Sequence, residues 1–257
     1  MTHSLEVRNM SLAMGRFPVL RDISFHVLPG EYLSVVGPNG AGKTTLLKCL
    51  AGLLRGEGEV WIDGQSLTGL SRRTVARIVG YVPQSLEVVF PVTVYDFLMM
   101  GRYSFQTAFQ RTSHRDREQV QRVLEELSLS HLSSRALPEL SGGERQKVHI
   151  GAALVQEPRI LFLDEPTSFL DPCQEEEILS LLDRLRRQRE LTIVAVTHHL
   201  NSSVLHADRI LALRCGGVTF LGSAREFMRV ETLKSVYGID FTLVNHPTRS
   251  VPMVLPG

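Results

Sequence analysis

The stretch VVGPNGAGKTTLL, Val35 to Leu47, decides how the rest of the chain is read. Within it Gly37 to Thr44, GPNGAGKT, fits the pattern GxxxxGK[ST], in which an apolar strand turns through glycines into a helix. Backbone N–H groups in such a turn wrap around phosphate oxygens at a helix N-terminus. Gly37, Pro38, Asn39, Gly40, Ala41 and Gly42 would form the cradle, with Gly40 and Gly42 letting the backbone approach the ligand. Lys43 would reach the outer phosphates. The Thr44 hydroxyl would ligate magnesium (Mg2+), with Thr45 beside it among the nucleotide contacts. Leu46, Leu47, Leu50, Leu53 and Leu54 are expected on one face of the helix that follows. The competing reading is a glycine turn that joins strand to helix and binds nothing.

Outward from this loop, the short apolar runs EYLSVV, RIVGYV, RILFL and LTIVAV alternate with helical patterns, the order of an α/β fold with a mostly parallel sheet. The segment GEVWIDGQSL carries hairpin punctuation at Asp63 and Gly64, so an antiparallel piece is expected beside the parallel core, making the sheet mixed. Between Ser85 and Arg159 the strand signal fades. There Val120, Val123, Leu124 and Leu127 recur at helical spacing, which predicts a helical lobe inserted into the core. The chain reads as one domain over 1–257, with core 1–85 and 160–215, helical part 86–159 and C-terminal extension 216–257. Its ending, HPTRSVPMVLPG, is proline-rich and reads as a loose tail.

Composition narrows the partners. With 257 residues, 43% hydrophobic and 21% charged, the chain has material for a single core and a lobe. A formal net charge of +1 provides no field to collect nucleic acid or coat an anionic membrane. The densest basic run, RLRRQRE from Arg184, falls on a predicted helix and reads as a solvated face. Cys49, Cys173 and Cys215 are scattered, which suits a reducing compartment and a cytoplasmic protein. No apolar run approaches the roughly 20 residues that span a bilayer, so a membrane role would need a partner.

The second half of a nucleotide site should be a carboxylate at the end of a buried strand, and RILFLDEPTS supplies it. Asp164 would emerge where the metal sits, and Glu165 would face another way by strand alternation. Glu165 is then placed to take a proton from the water attacking the γ-phosphate. The alternative is a pair of acids capping the turn at Pro166 and Thr167. His198, directly after the strand in TIVAVTHHL, could contact the γ-phosphate and hold the water and Glu165, or serve a structural role. Ser141 and Glu144 in LSGGERQ fit a capping box, yet Gly142 and Gly143 clear side chains from a turn whose dipole favours an anion.

The phosphate loop, YVPQ at Tyr81, LSGGERQ at Leu140, ILFLDEP, SFLD at Ser168 and THH at Thr197 together resemble the ordered motif set of ABC-transporter ATPases. The resemblance covers most of the chain and implies a P-loop NTPase (RecA-like) core. It implies that Gln84 helps bind magnesium and water and links core to lobe, that His198 contacts the γ-phosphate, and that Asp171 belongs to a loop meeting the opposite subunit. It further implies a head-to-tail homodimer sandwiching two ATP molecules. In that dimer Ser141, Gly142 and Gly143 of one chain would close over ATP held by the other.

VVFPVTVYDFLMMGRYSFQ, beginning at Val88, and LKSVYGIDFTLVNHP, beginning at Leu233, are similar to ATPase subunits of bacterial importers for iron chelates, haem and cobalamin. Importers of zinc and manganese share much of the first segment. Thr93 and Asp96 fit a capping box there, and Phe97, Leu98 and Met99 give the helix start an apolar side. The family implies multi-span permease subunits as partners, with a substrate-binding protein engaged indirectly. A soluble ABC ATPase of complex assembly, as in iron–sulfur assembly, is the alternative. Met14 stands where the family usually places an aromatic residue on adenine; Phe17 is either its substitute or a packing residue beside Pro18.

Overall fold

The structure, a computed structural model, describes residues 3–84, 91–105, 112–245 and 252–256. Ser85, the start of the segment read from Val88, and much of the proline-rich ending lie outside them. In chain order the elements are β1 (Leu5–Met14), β2 (Phe17–Val27), β3 (Tyr32–Val36), α1 (Lys43–Leu50), β4 (Glu57–Ile62), β5 (Gln65–Ser66), α2 (Arg72–Ile78), β6 (Val79–Val82), α3 (Val94–Met100), α4 (His114–Glu126) and α5 (Gly142–Leu154). There follow β7 (Ile160–Asp164), α6 (Pro172–Arg189), β8 (Thr192–Val196), α7 (Leu200–His206), β9 (Arg209–Arg214), β10 (Gly217–Ser223), α8 (Ala224–Phe227), α9 (Val230–Tyr237), β11 (Phe241–Val244) and β12 (Met253–Pro256). They form two compact units, Met1–Leu70 with Leu163–Glu165 and Thr192–Gly257, and Ser71–Phe162 with Pro166–Leu191.

In the first unit β3 lies between β8 and β9 and runs parallel to both, with Val35 opposite Val196 and Leu211. Every residue of β3 and β8 is buried, which is why both read as unbroken apolar runs rather than alternating ones. The last residues of β7 border β8, and β10 pairs antiparallel with β9 at the other side. The expected mixture of strand directions therefore arises at β10. The Asp63–Gly64 hairpin belongs instead to a separate antiparallel sheet of order β2-β1-β4-β5. Both turn residues have positive φ, 48° and 75°, as a tight hairpin demands.

Two expectations for this unit are corrected. Helix α1 ends at Leu50, the chain turns at Ala51 and Gly52, and Leu53 is 58% exposed, so of the five leucines Leu46, Leu47 and Leu50 lie on the buried side of the helix. The ending is not loose throughout, because Met253 to Pro256 pair antiparallel with Phe241 to Val244.

The second unit is mainly helical, with β6 beside the earlier part of β7. Val120, Val123 and Leu124 of α4, and Leu127 beyond it, are buried as their spacing predicted. Thr93 caps α3 by accepting from the Asp96 amide, while the Asp96 carboxylate bonds the Thr93 hydroxyl. Leu98 is buried, and Phe97 and Met99 partly so.

Charges hold this unit together in two places. Arg102 is 1% exposed, pairs with Asp116 at 2.9 Å and Glu157 at 3.0 Å, and donates to the Val155 carbonyl. Burial alone would raise the Asp116 pKa, but hydrogen bonds from Ser113 and Arg102 outweigh it and hold the carboxyl below its usual range. The basic run on α6 is more than a solvated face. Arg189 grips the Glu126 carboxylate and Arg184 the Glu126 carbonyl, where the α4 dipole favours cations.

Candidate functional site

The phosphate loop takes its shape from backbone contacts inside the first unit. Gly37 has φ 140°, and a Cβ there would stand 2.1 Å from the Leu213 carbonyl oxygen, so no other residue fits. Gly42 precedes α1 at φ 96°, where a Cβ would meet the Val19 oxygen at 2.8 Å. Gly40 and Asn39 are exposed, and Gly40 has nothing near its missing Cβ, leaving the loop open to a ligand. Lys43 is buried, and its Nζ donates to the carbonyls of Gly37 at 2.8 Å and Pro38 at 3.0 Å. Burial lowers the Lys43 pKa, opposed by the nearby carboxylates Glu165 and Asp164. A buried ammonium held by neutral carbonyls is suited to an incoming anion.

Two strand ends and the start of α1 deliver the remaining groups, as expected at the carboxyl edge of a parallel sheet. The Thr44 hydroxyl, one residue into α1, donates to Asp164 Oδ1 at 2.8 Å at the end of β7. Glu165 lies just beyond the strand at φ 50°, its amide donating to the Val196 carbonyl at 2.9 Å. Its direction is therefore set by this left-handed residue, not by strand alternation as expected. A non-glycine residue in that region stores strain of order 1–3 kcal/mol. Past β8, Thr197 donates its amide to Val35, and His198 Nδ1 lies 3.3 Å from Glu165 Oε2.

Among the predicted residues, Gly37 to Thr45, Asp164, Glu165 and His198 are thus assembled within one unit. Gln84 and the LSGGERQ motif belong to the other. Gln84 is exposed just after β6. Ser141 caps α5 in a complete capping box, its Oγ accepting from Glu144 N and its own N donating to Glu144 Oε2 at 2.8 Å. Ser141 and Gly142 are exposed. At Gly143 a Cβ would lie 3.2 Å from the Gln174 side chain, a tight contact with a side chain that can shift. Asp171 caps α6, accepting from Cys173 N and Gln174 N at 2.9 Å each.

Two residues near this site had no role assigned from sequence. Asn201 of α7 exchanges hydrogen bonds with Val254, and Tyr237 of α9, inside the stretch quoted from Leu233, packs against the cluster that holds Val36. Only tertiary structure reveals them.

An open glycine cradle, a buried lysine, a hydroxyl–carboxylate pair and a carboxylate–histidine pair thus stand together in the first unit. Residues 20–168 match the family model for ABC transporters. The chain belongs to that family and is an ABC-type ATP-binding subunit. It is 32% identical to the ferric enterobactin transport ATP-binding protein FepC of Escherichia coli (strain K12), over 98% of this chain and 93% of the relative. It is 37% identical to the hemin import ATP-binding protein HmuV of Pseudomonas fluorescens (strain Pf0-1), over 98% and 99%. A solved ABC transporter assigned to the metal-chelate type, in an inward-facing conformation, superposes with a TM-score of 0.87 at 28% identity, covering 99% of this chain and 98% of that one. Among the described residues no helix is long and apolar enough to cross a membrane.

Proposed function

We propose that the chain hydrolyses ATP to drive a membrane importer of iron chelates or haem. The observation that carries the chemistry is the joint placement of Lys43, the Thr44–Asp164 pair and the Glu165–His198 pair at adjoining strand ends. The transported class rests on likeness over nearly the whole chain to importer ATPases for ferric enterobactin and hemin.

In this reading the phosphate chain of ATP lies in the loop from Gly37 to Thr45, and Lys43 moves its Nζ from loop carbonyls to the outer phosphates. Thr44 and Asp164 suit magnesium: both offer hard oxygen donors, already side by side at 2.8 Å. Family resemblance implies Gln84, of the other unit, as a further oxygen donor. Bound there, the ion would neutralise charge on the β- and γ-phosphates. Glu165 takes a proton from water as the water oxygen bonds to the γ-phosphorus, and the bond from that phosphorus to the ADP oxygen breaks. His198 holds Glu165 in line and meets the γ-phosphate.

Ser141, Gly142 and Gly143 would close over ATP held by a second copy, in the head-to-tail dimer that family resemblance implies. Multi-span permease subunits would hold that dimer on the cytoplasmic side of the membrane. Copurification in mild detergent tests this reading. A multi-span protein encoded beside this chain should be retained, and growth on single iron, haem, cobalamin, zinc or manganese sources should then name the cargo. Recovery of soluble scaffold proteins alone would favour complex assembly and overturn the importer reading.

A further inference from the structure

Among the described residues, Ser, Thr or Asp side chains cap α2, α3, α4, α5, α6 and α8, each accepting from an amide of the first turn. Helix α7 has His199 at that position, and no side-chain hydrogen bond caps it. Two other helices lack a capping side chain: α1, whose N-terminus stays open at the phosphate loop, and α9, which follows Arg229. The start of α7 gives no helical reason for a histidine.

The backbone of His199 is nevertheless fixed from both sides. Its amide donates to Thr197 Oγ1 at 3.0 Å, a local turn that the threonine side chain makes possible. Its carbonyl accepts from the Ser203 amide at 3.0 Å and from Ser203 Oγ at 2.9 Å, and Ser203 is buried. Thr197 is itself tied through its amide to the Val35 carbonyl, so this stretch is anchored to β3. A ring carried on such a backbone has few directions left.

That ring lies against His198. The two imidazoles meet edge-on, with centroids 4.2 Å apart and planes at 79°, an arrangement that aromatic rings favour. The His198 side chain is 47% exposed, and in water alone it would sample several rotamers. Glu165 Oε2 meets it at Nδ1, and His199 bounds it through the ring contact. One polar contact leaves an imidazole free to turn about that contact. A second contact on the ring removes this freedom.

We propose that His199 is a positioning residue for ATP hydrolysis: its ring holds His198 in the orientation that keeps Glu165 in line, and it does not itself touch the nucleotide. The inference rests on the reading of His198 as the residue that holds Glu165 and meets the γ-phosphate. An orientation set before the chemical step lowers its barrier without strengthening ground-state binding, so the effect belongs in kcat.

The test uses the full chain, with steady-state hydrolysis, ADP titration and thermal melting. His199→Ser removes the ring and supplies a capping hydroxyl. Its kcat should fall roughly two- to tenfold, the worth of one edge-on ring contact, with ADP binding within about twofold and the melting midpoint unchanged or raised. His199→Phe keeps a ring without the nitrogens and should retain about half of the wild-type kcat or more. Normal kcat in His199→Ser overturns the proposal, as does a kcat in His199→Phe as low as in His199→Ser. A fall in kcat that comes with weaker ADP binding and a lowered midpoint also overturns it, because the fold has then been damaged. His198→Ala separates the two layers. Normal hydrolysis by His198→Ala overturns the assignment of His198 itself. With His198→Ala slow, adding His199→Ser should cost no further activity, because His199 acts through His198. A further loss as large as in the single variant overturns the positioning role alone.

Discussion

His198 Nδ1 and Glu165 Oε2 stand 3.3 Å apart although each comes from the end of a different strand. The amide of Glu165 is simultaneously fixed to Val196, two residues before His198, so one short stretch of β8 sets both partners. Glu165→Gln keeps the size and the backbone but removes the proton acceptor. Hydrolysis should fall on the order of 10²–10⁴-fold with ATP binding retained, and an ATP-locked dimer should accumulate. Single-turnover hydrolysis alongside a binding titration checks this, and near-normal turnover would sink the role of Glu165.

Ser141→Arg should leave the isolated chain folded. Loss of an exposed N-cap costs about 1 kcal/mol, and the phosphate loop lies in the other unit. ATP binding should persist while ATP-driven dimerisation and hydrolysis disappear. A mixture with Lys43→Ala pairs one damaged site with one whole site, so partial activity should return. Normal hydrolysis by Ser141→Arg alone would refute the shared site.

Legibility followed the range of the forces involved. The phosphate loop and the buried strands β3, β7 and β8 were readable because each depends on local chemistry and continuous burial. Glu165 was readable as a residue but not as a conformation, since its left-handed φ is imposed by the amide bond to Val196. Strand β12 hid behind prolines because its partners, Phe241 to Val244, are separated from it by a long connection. Arg102 gave no sign of burial either. A charge in the core is tolerable only with partners, and Asp116 and Glu157 come from other elements.

His149 of α5 makes the second unit acid-sensitive. Its residue is 7% exposed, Nε2 has no hydrogen-bond partner, and burial, with Arg145 adding, lowers its pKa from 6.5 to about 4. Above pH 6.5 the imidazole is neutral in both folded and unfolded chains and contributes nothing. Between 6.5 and 4 the unfolded chain takes up a proton that the folded one refuses, so stability falls, by about 2 kcal/mol at pH 5. Urea midpoints of wild type and His149→Met between pH 7 and 5 check this. The variant should lose that part of the slope, and parallel curves would refute it.

Met14 and Phe17 are directly opposite each other where β1 turns into β2 across Gly15 and Arg16, and directly opposed residues share one face of a hairpin. Met14 is 50% exposed and Phe17 78%, so the expectation of Phe17 as a packing residue beside Pro18 fails. Both side chains are therefore available to a planar ligand, and the family resemblance implies Met14 as the one nearest adenine. Base–aromatic stacking is worth roughly 1–3 kcal/mol, and a thioether recovers only part of that. The isolated chain should bind ATP with modest affinity and discriminate weakly against GTP, because phosphate contacts dominate. Met14→Tyr should tighten ATP binding, whereas Phe17→Ala should change it little. Titrations of both variants with ATP and GTP check the assignment: a large loss in Phe17→Ala with no gain in Met14→Tyr would make Phe17 the platform, with the aromatic residue displaced across the hairpin.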